Sequence, residues 1–125
     1  MNIILDTHVL IWALENNPAL SDKAAGKIIN AENMVFVSAA SVWEIEIKRS
    51  IGKLIAPNNL VEEINRHRFT PLPMTMDHAE LAGKLPLIHK DPFDRMLVAQ
   101  AVYENLTLVT RDEWIGKYDV KIMTA

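Results

Sequence analysis

Four acids of this chain, Asp6, Glu44, Asp94 and Asp112, stand where apolar runs give way to helices or loops. Asp6 follows Ile3-Ile4-Leu5, and Glu44 lies in the helical stretch after Met34-Val35-Phe36-Val37-Ser38. Asp94 is in the opening turn of a long apolar helix, and Asp112 follows Leu106-Thr107-Leu108-Val109-Thr110. If the apolar runs are neighbouring strands of a parallel sheet, about 4.8 Å apart, acids at their ends can share a cation. A converging set of hard oxygen donors, in a chain with no cysteine and no histidine pair at ligand spacing, suits Mg2+ or Mn2+ and not Zn2+. Each acid also has a structural reading. Asp6 and Asp91 can be helix N-caps, Asp94 can complement a helix dipole, and Glu44 can complete a capping box from Ser41 or pair with Lys48 one turn on. Capping explains any one of them but gives no reason for them to meet.

Strands and helices must alternate to bring these acids together. Asn2–Leu5 and Met34–Ser38 are apolar throughout, as strands buried on both faces are. Helices are expected over residues 8–15, 22–31 behind a Ser21 cap, and 39–49, with Gly52 as the residue that ends the third. Glu44 shares a helical face with Ile47 and Ile51, which predicts a partly buried carboxylate in need of a partner. Asn59 and Glu62 offer a capping box for a short helix to residue 67. Pro71 and Pro73 push residues 69–73 to a sheet edge. A further helix covers residues 76–85 and stops before Pro86. Asp91 then caps a helix with Pro92 at its first position, nearly all apolar or small from Met96 to Val102 and so buried on most sides. Residues 106–112 and 120–123 supply the last strands, and the basic and histidine residues around Arg66, His67, Arg68, His89 and Lys90 read most simply as solvated surface. The order predicts an α/β protein with a central parallel sheet of four to five strands wound by helices on both faces.

Composition narrows the function classes. With 125 residues, half of them hydrophobic, the chain is expected to form one domain over residues 1–125 with a core that needs no staples. The lack of cysteine excludes disulfide scaffolds and thiol nucleophiles and fits a reducing cytoplasm. No basic leader opens the sequence and no run approaches membrane-spanning length, so no membrane role is expected. A net charge of -3 means that a polyanionic partner requires something to offset the acids. The scattered glycines form neither a phosphate-binding loop nor a dinucleotide fingerprint, and no Gly-x-Ser-x-Gly elbow exists. An aspartyl-nucleophile phosphatase wants a second acid where His8 stands, and a phospho-accepting receiver domain wants paired acids after strand one and Lys-Pro where Lys121-Ile122 stands.

Leu5-Asp6-Thr7, Ser41-Val42-Trp43-Glu44-Ile45, His89-Lys90-Asp91-Pro92-Phe93-Asp94-Arg95-Met96-Leu97-Val98-Ala99-Gln100-Ala101 and Leu108-Val109-Thr110-Arg111-Asp112 together resemble PIN-domain nucleases, specifically the VapC-type ribonuclease toxins of type II toxin-antitoxin systems. The resemblance runs from Ile3 to Met123, and Asp-Pro-Phe-Asp-Arg is its most specific block. It implies a PIN-like, Rossmann-like three-layer fold and makes Asp6, Glu44, Asp94 and Asp112 a catalytic quartet holding one or two Mg2+ or Mn2+ ions. The implied reaction is hydrolysis of an RNA phosphodiester by metal-activated water. Thr7 matches a hydroxyl position beside the site, His8 departs from the Asn or Ser of many relatives, and Asp91 is extra to the quartet. The resemblance further implies a cytoplasmic homodimer, built through the mid-chain helices, and inhibition by a small antitoxin. Arg95, Lys48 and Arg49 are candidates for positioning substrate phosphates, against a reading as ordinary surface charge. Two other functions stay open: a PIN-like module that binds metal or a partner without turnover, and a housekeeping RNA-processing nuclease.

Overall fold

The computed structural model describes residues 1–125. Its centre is β1 (Asn2–Leu5), where Ile3, Ile4 and Leu5 are all fully buried. Burial of each such side chain stabilises by about 1.5–3 kcal/mol. β1 pairs in parallel with β2 (Met34–Ser38) on one side and β4 (Thr107–Thr110) on the other, and β3 (Thr70–Leu72) and β5 (Ile122–Thr124) form the edges. The sheet order is β3-β2-β1-β4-β5, parallel throughout. Pro71 lies in edge strand β3, where its missing N–H costs no central ladder bond.

The pleat divides the core in two. Ile3 and Leu5 of β1, Val35 and Val37 of β2 and Val109 of β4 face one layer, built from α1 (Thr7–Glu15), α2 (Asp22–Ile29), α3 (Ala39–Ser50) and α4 (Leu60–Arg66). Ile4, Phe36 and Leu108 face the other, where α6 (Pro92–Tyr103) contributes Leu97, Val98 and Ala101 and a short 3-10 turn contributes Ile115. α5 (Met76–Lys84) packs along α6. Successive strand residues point to opposite faces, so both layers bury apolar side chains and the strands read as unbroken apolar runs. In α6, Leu97 to Ala101 are buried without interruption, as its composition predicts. No helix is long and apolar enough to cross a membrane.

Several local expectations are corrected. Asn59 makes no side-chain cap to α4, because its amide donates to the Glu62 carboxylate (3.0 Å) instead of the carboxylate reaching back to the backbone. A capping box forms at α5, where Thr75 accepts from the His78 N–H and the His78 ring accepts from the Thr75 N–H. Histidine in the place of the usual Glu or Gln hid it. α2 ends at Ile29 and α5 at Lys84, short of the expected residues 31 and 85, and β5 begins at Ile122 instead of 120. Gly52, with φ +72°, does end α3 in the left-handed conformation that favours glycine.

Candidate active site

The strand order reverses direction at β1: the chain moves from β1 outward to β2, and later returns to β4 on the opposite side. The crevice at the carboxyl ends of strands flanking such a switch point is where open α/β sheets bind ligands. Asp6 follows β1 there, and Asp112 lies just beyond β4. Glu44 enters from α3 and Asp94 from the first turn of α6. All four line one cavity of about 460 Å³, together with Thr7, His8, Val9, Trp12, Lys48, His89, Asp91 and Arg111. Five carboxylates thus face two fixed cations, Lys48 and Arg111.

Backbone and hydroxyl groups hold these acids in place. Asp6 caps α1, one oxygen accepting the Val9 N–H at 2.8 Å, and it is almost fully buried. Burial raises its pKa, the Thr110 hydroxyl and the Val9 N–H partly counter that, and Asp112 pushes it up again. Glu44 is buried with both oxygens engaged. The Thr7 hydroxyl donates to Oε1 at 2.6 Å and Lys48 Nζ lies 2.5 Å from Oε2. The single Thr7 proton goes to that carboxylate, so Ser41 donates across the 3.1 Å gap between the two hydroxyls. Glu44 is buried as expected, though not for the expected reason: Ile47 of α3 and Ile51, just past the helix end, are exposed, and α3 packs against α1 and α6. The hydrogen bond to Glu44 raises the Lys48 pKa, and the charges of Glu44, Asp91 and Asp94 add to it.

At the mouth of α6 the two aspartates divide their roles. Asp91 caps the helix, Oδ1 accepting from the Phe93 and Asp94 N–H groups at 2.8 and 3.1 Å. Asp94 accepts no backbone bond and has one hydrogen-bonded partner, His89 Nε2, at 2.8 Å from Oδ2. Burial first, then Asp91, Glu44 and Asp112, raise its pKa to about 7, against the lowering contact with His89. Asp112 accepts the Trp114 N–H at 2.8 Å through Oδ1. One ligand atom from each of His89, Asp94 and Asp112 lies within 4.8 Å of the others.

His89 is therefore not the solvated surface residue that its basic neighbourhood suggests. Its backbone N–H donates to the Tyr118 hydroxyl at 3.0 Å, and its ring lies nearly parallel to Trp114. Arg95 and Arg49 are not brought into the cavity. The Arg95 guanidinium donates to the carbonyls of Ala82, Leu85, Pro86 and His89, bracing the turn before α6. Arg49 donates to the carbonyls of Ala56 and Pro57. Both cations hold carbonyls that no helix or strand satisfies, a demand that residue type alone does not reveal. Arg111, which the sequence did not single out, lines the cavity with its guanidinium 4.7 Å from the Trp12 ring centre.

The family model for the PIN domain matches residues 3–121. The chain belongs to the PIN-domain family. That is a nuclease family. Among solved structures it is similar to VapBC2 from Rickettsia felis bound to a promoter DNA fragment, with a TM-score of 0.73 and 16% identity over 99% of this chain and 98% of that one. It is similar to DNA-bound VapBC from Salmonella typhimurium, with a TM-score of 0.72 and 18% identity over 99% and 98%. VapBC-5 from Mycobacterium tuberculosis, a member of the VapBC family of toxin-antitoxin systems, gives a TM-score of 0.60 and 16% identity over 98% and 96%. At such identities the likeness is one of fold. No curated protein sequence matches this PIN domain significantly.

Proposed function

We propose that this PIN domain, acting as a single unit over residues 1–125, is a divalent-metal-dependent endoribonuclease and the toxin of a toxin-antitoxin pair. The observation that carries the reading is the charge imbalance of the cavity, five carboxylates against Lys48 and Arg111. A phosphodiester cannot approach such a surface unless a cation intervenes. The residues fit a hard divalent ion: Asp94 lacks any backbone donor, and burial and then its carboxylate neighbours raise its pKa, a cost that a cation would relieve. Asp94 and Asp112 would hold Mg2+ or Mn2+, with Asp6 and Glu44 completing the negative field around it. Such an ion supplies Lewis acidity and charge neutralisation for phosphodiester hydrolysis. The protein's own part is positional. Thr7 and Lys48 fix Glu44, the Val9 N–H fixes Asp6, and Lys48 offers a cation to a substrate phosphate. The Trp12–Arg111 pair beside the acids gives an unstacked base a surface to lie on, which favours single-stranded RNA.

The likeness to VapBC complexes supports a small antitoxin as partner and a cytoplasmic setting. Trp43 and Ile47 on α3 and Ile51 at its C-cap stand exposed one turn apart and support self-association there. The test is cleavage of a single-stranded RNA by the purified chain with Mg2+ or Mn2+, leaving 5′-phosphate and 3′-hydroxyl ends. Undiminished cleavage in excess EDTA, or 2′,3′-cyclic phosphate ends, refutes the metal reading. Metal binding without cleavage identifies a binding module instead.

A further inference from the structure

We infer that His89 is a nitrogen ligand of the divalent ion, so that the site is a mixed oxygen and nitrogen one that prefers Mn2+ to Mg2+; this deepens the metal reading above and rests on it. His89 Nε2 stands 2.8 Å from Asp94 Oδ2. Donors sharing a cation at about 2.0–2.2 Å stand no more than about 4.4 Å apart, so the pair is already within common reach. The Asp112 carboxylate joins them in a group spanning no more than 4.8 Å.

Two features make the imidazole a built part of the site. Its main chain is anchored on both sides of the Cα, the Tyr118 hydroxyl taking the backbone N–H of His89 and Arg95 and Tyr118 donating to the His89 carbonyl, and Trp114 lies nearly parallel to the ring at a centroid distance of 6.3 Å. A surface histidine needs none of these supports. The other acids, meanwhile, have fewer free oxygens than their number suggests. Glu44 has both engaged, by Thr7 and Lys48, and Asp6 and Asp91 each commit one oxygen to a helix N-terminus. His89 offers a donor that no other protein group uses besides Asp94. Imidazole suits later first-row ions, and Mg2+ takes oxygen donors and retains its waters, so a nitrogen donor moves selectivity along the series toward Mn2+.

Pulsed electron paramagnetic resonance of Mn2+ bound to the EDTA-stripped full chain tests this without reference to activity. The expected spectrum carries nitrogen couplings of a directly bound imidazole, which change to the nitrogen-15 pattern when the protein is made with nitrogen-15 histidine. In His89→Asn the couplings vanish, Mn2+ affinity falls by at least about tenfold, and Mg2+ affinity changes less than about threefold. Because the labelled measurement uses the wild-type chain, it stands even if the variant folds poorly. Bound Mn2+ without nitrogen coupling overturns the assignment and leaves the metal reading intact, with His89 reduced to a hydrogen-bond partner of Asp94. Absence of any divalent binding overturns both.

Discussion

Replacing Asp94 by Asn separates a charge placed for a cation from a charge placed for a helix, and the separation can be read from stability alone. In the metal-free fold the Asp94 pKa is raised from 3.8 to about 7, first by burial and then by Asp91, Glu44 and Asp112. The folded state therefore holds the proton more tightly than the unfolded chain. Stability is greatest below pH 4 as far as this group is concerned, declines as pH rises through the window from about 4 to 7, and stays low above it. At about 1.4 kcal/mol per pH unit the full span is worth about 4 kcal/mol, and solvent access to the carboxylate brings it down to roughly 2 kcal/mol. Asn keeps the shape and the acceptor for His89 while removing the titration. The variant should thus be about 2 kcal/mol more stable than wild type at pH 8 in EDTA, and the two should converge near pH 4. In saturating Mg2+ the order reverses: an ion at 100 times its dissociation constant adds about 2.7 kcal/mol to wild type and much less to the variant. Urea unfolding followed by tryptophan fluorescence, at pH 4 to 8 with EDTA or Mg2+, measures both effects. If Asp94→Asn instead loses a uniform 0.3 to 1 kcal/mol, roughly what a dipole interaction contributes, at every pH and with the Mg2+ gain intact, the site is misplaced at its centre.

Arg95→Met should lower the urea unfolding free energy by about 3 kcal/mol, because charge-assisted bonds to several carbonyls contribute about 1.5–3 kcal/mol each and are only partly replaced by water; a change confined to the RNA KM would return Arg95 to phosphate binding. Thr7→Val leaves the buried Glu44 Oε1 without its donor and should cost about 1–3 kcal/mol, whereas Thr7→Ser should restore most of it in the same measurement. Trp43→Glu should shift self-association to the monomer in analytical ultracentrifugation without altering the far-ultraviolet circular dichroism, and an unchanged dimer places the contact elsewhere. Expression of the chain alone should arrest growth and co-expression of a cognate small partner should relieve it; harmless expression of soluble, RNA-cleaving protein points to a housekeeping nuclease.

The layering was legible because it rests on patterns that one sequence displays. Unbroken apolar runs at β1, β2 and β4 announce strands covered on both faces, and Asp91-Pro92 marks the start of α6 to the residue. Asp6, Asp94 and Asp112 were legible as acids at strand and helix ends, and Glu44 as an acid inside the helix after β2. What one sequence does not display is how long polar side chains are used once the chain has closed. Arg95 and Arg49 read as free cations, yet each is bound to carbonyls of a turn, and the demand of those turns arises only when the elements pack. His89 was hidden for the same reason: its supports, Tyr118 and Trp114, come from the segment between β4 and β5, distant in sequence and carrying no periodic signal.

Capping and metal binding are compatible roles for one acid, because a carboxylate has two oxygens. Asp6, Asp91 and Asp112 each accept backbone N–H groups through Oδ1. Those bonds fix the plane of the carboxylate, so the second oxygen is held in one orientation. In the proposed metal site a cap would thus orient a carboxylate as well as serve the helix. Asp94 lacks such a bond, and it is the acid whose pKa climbs to about 7. The preorganised acids set the negative field, and the uncapped one bears most of its cost when no cation is present. A site designed only to stabilise the fold would have distributed its N–H donors the other way, giving one to the acid that burial and three neighbouring carboxylates oppose.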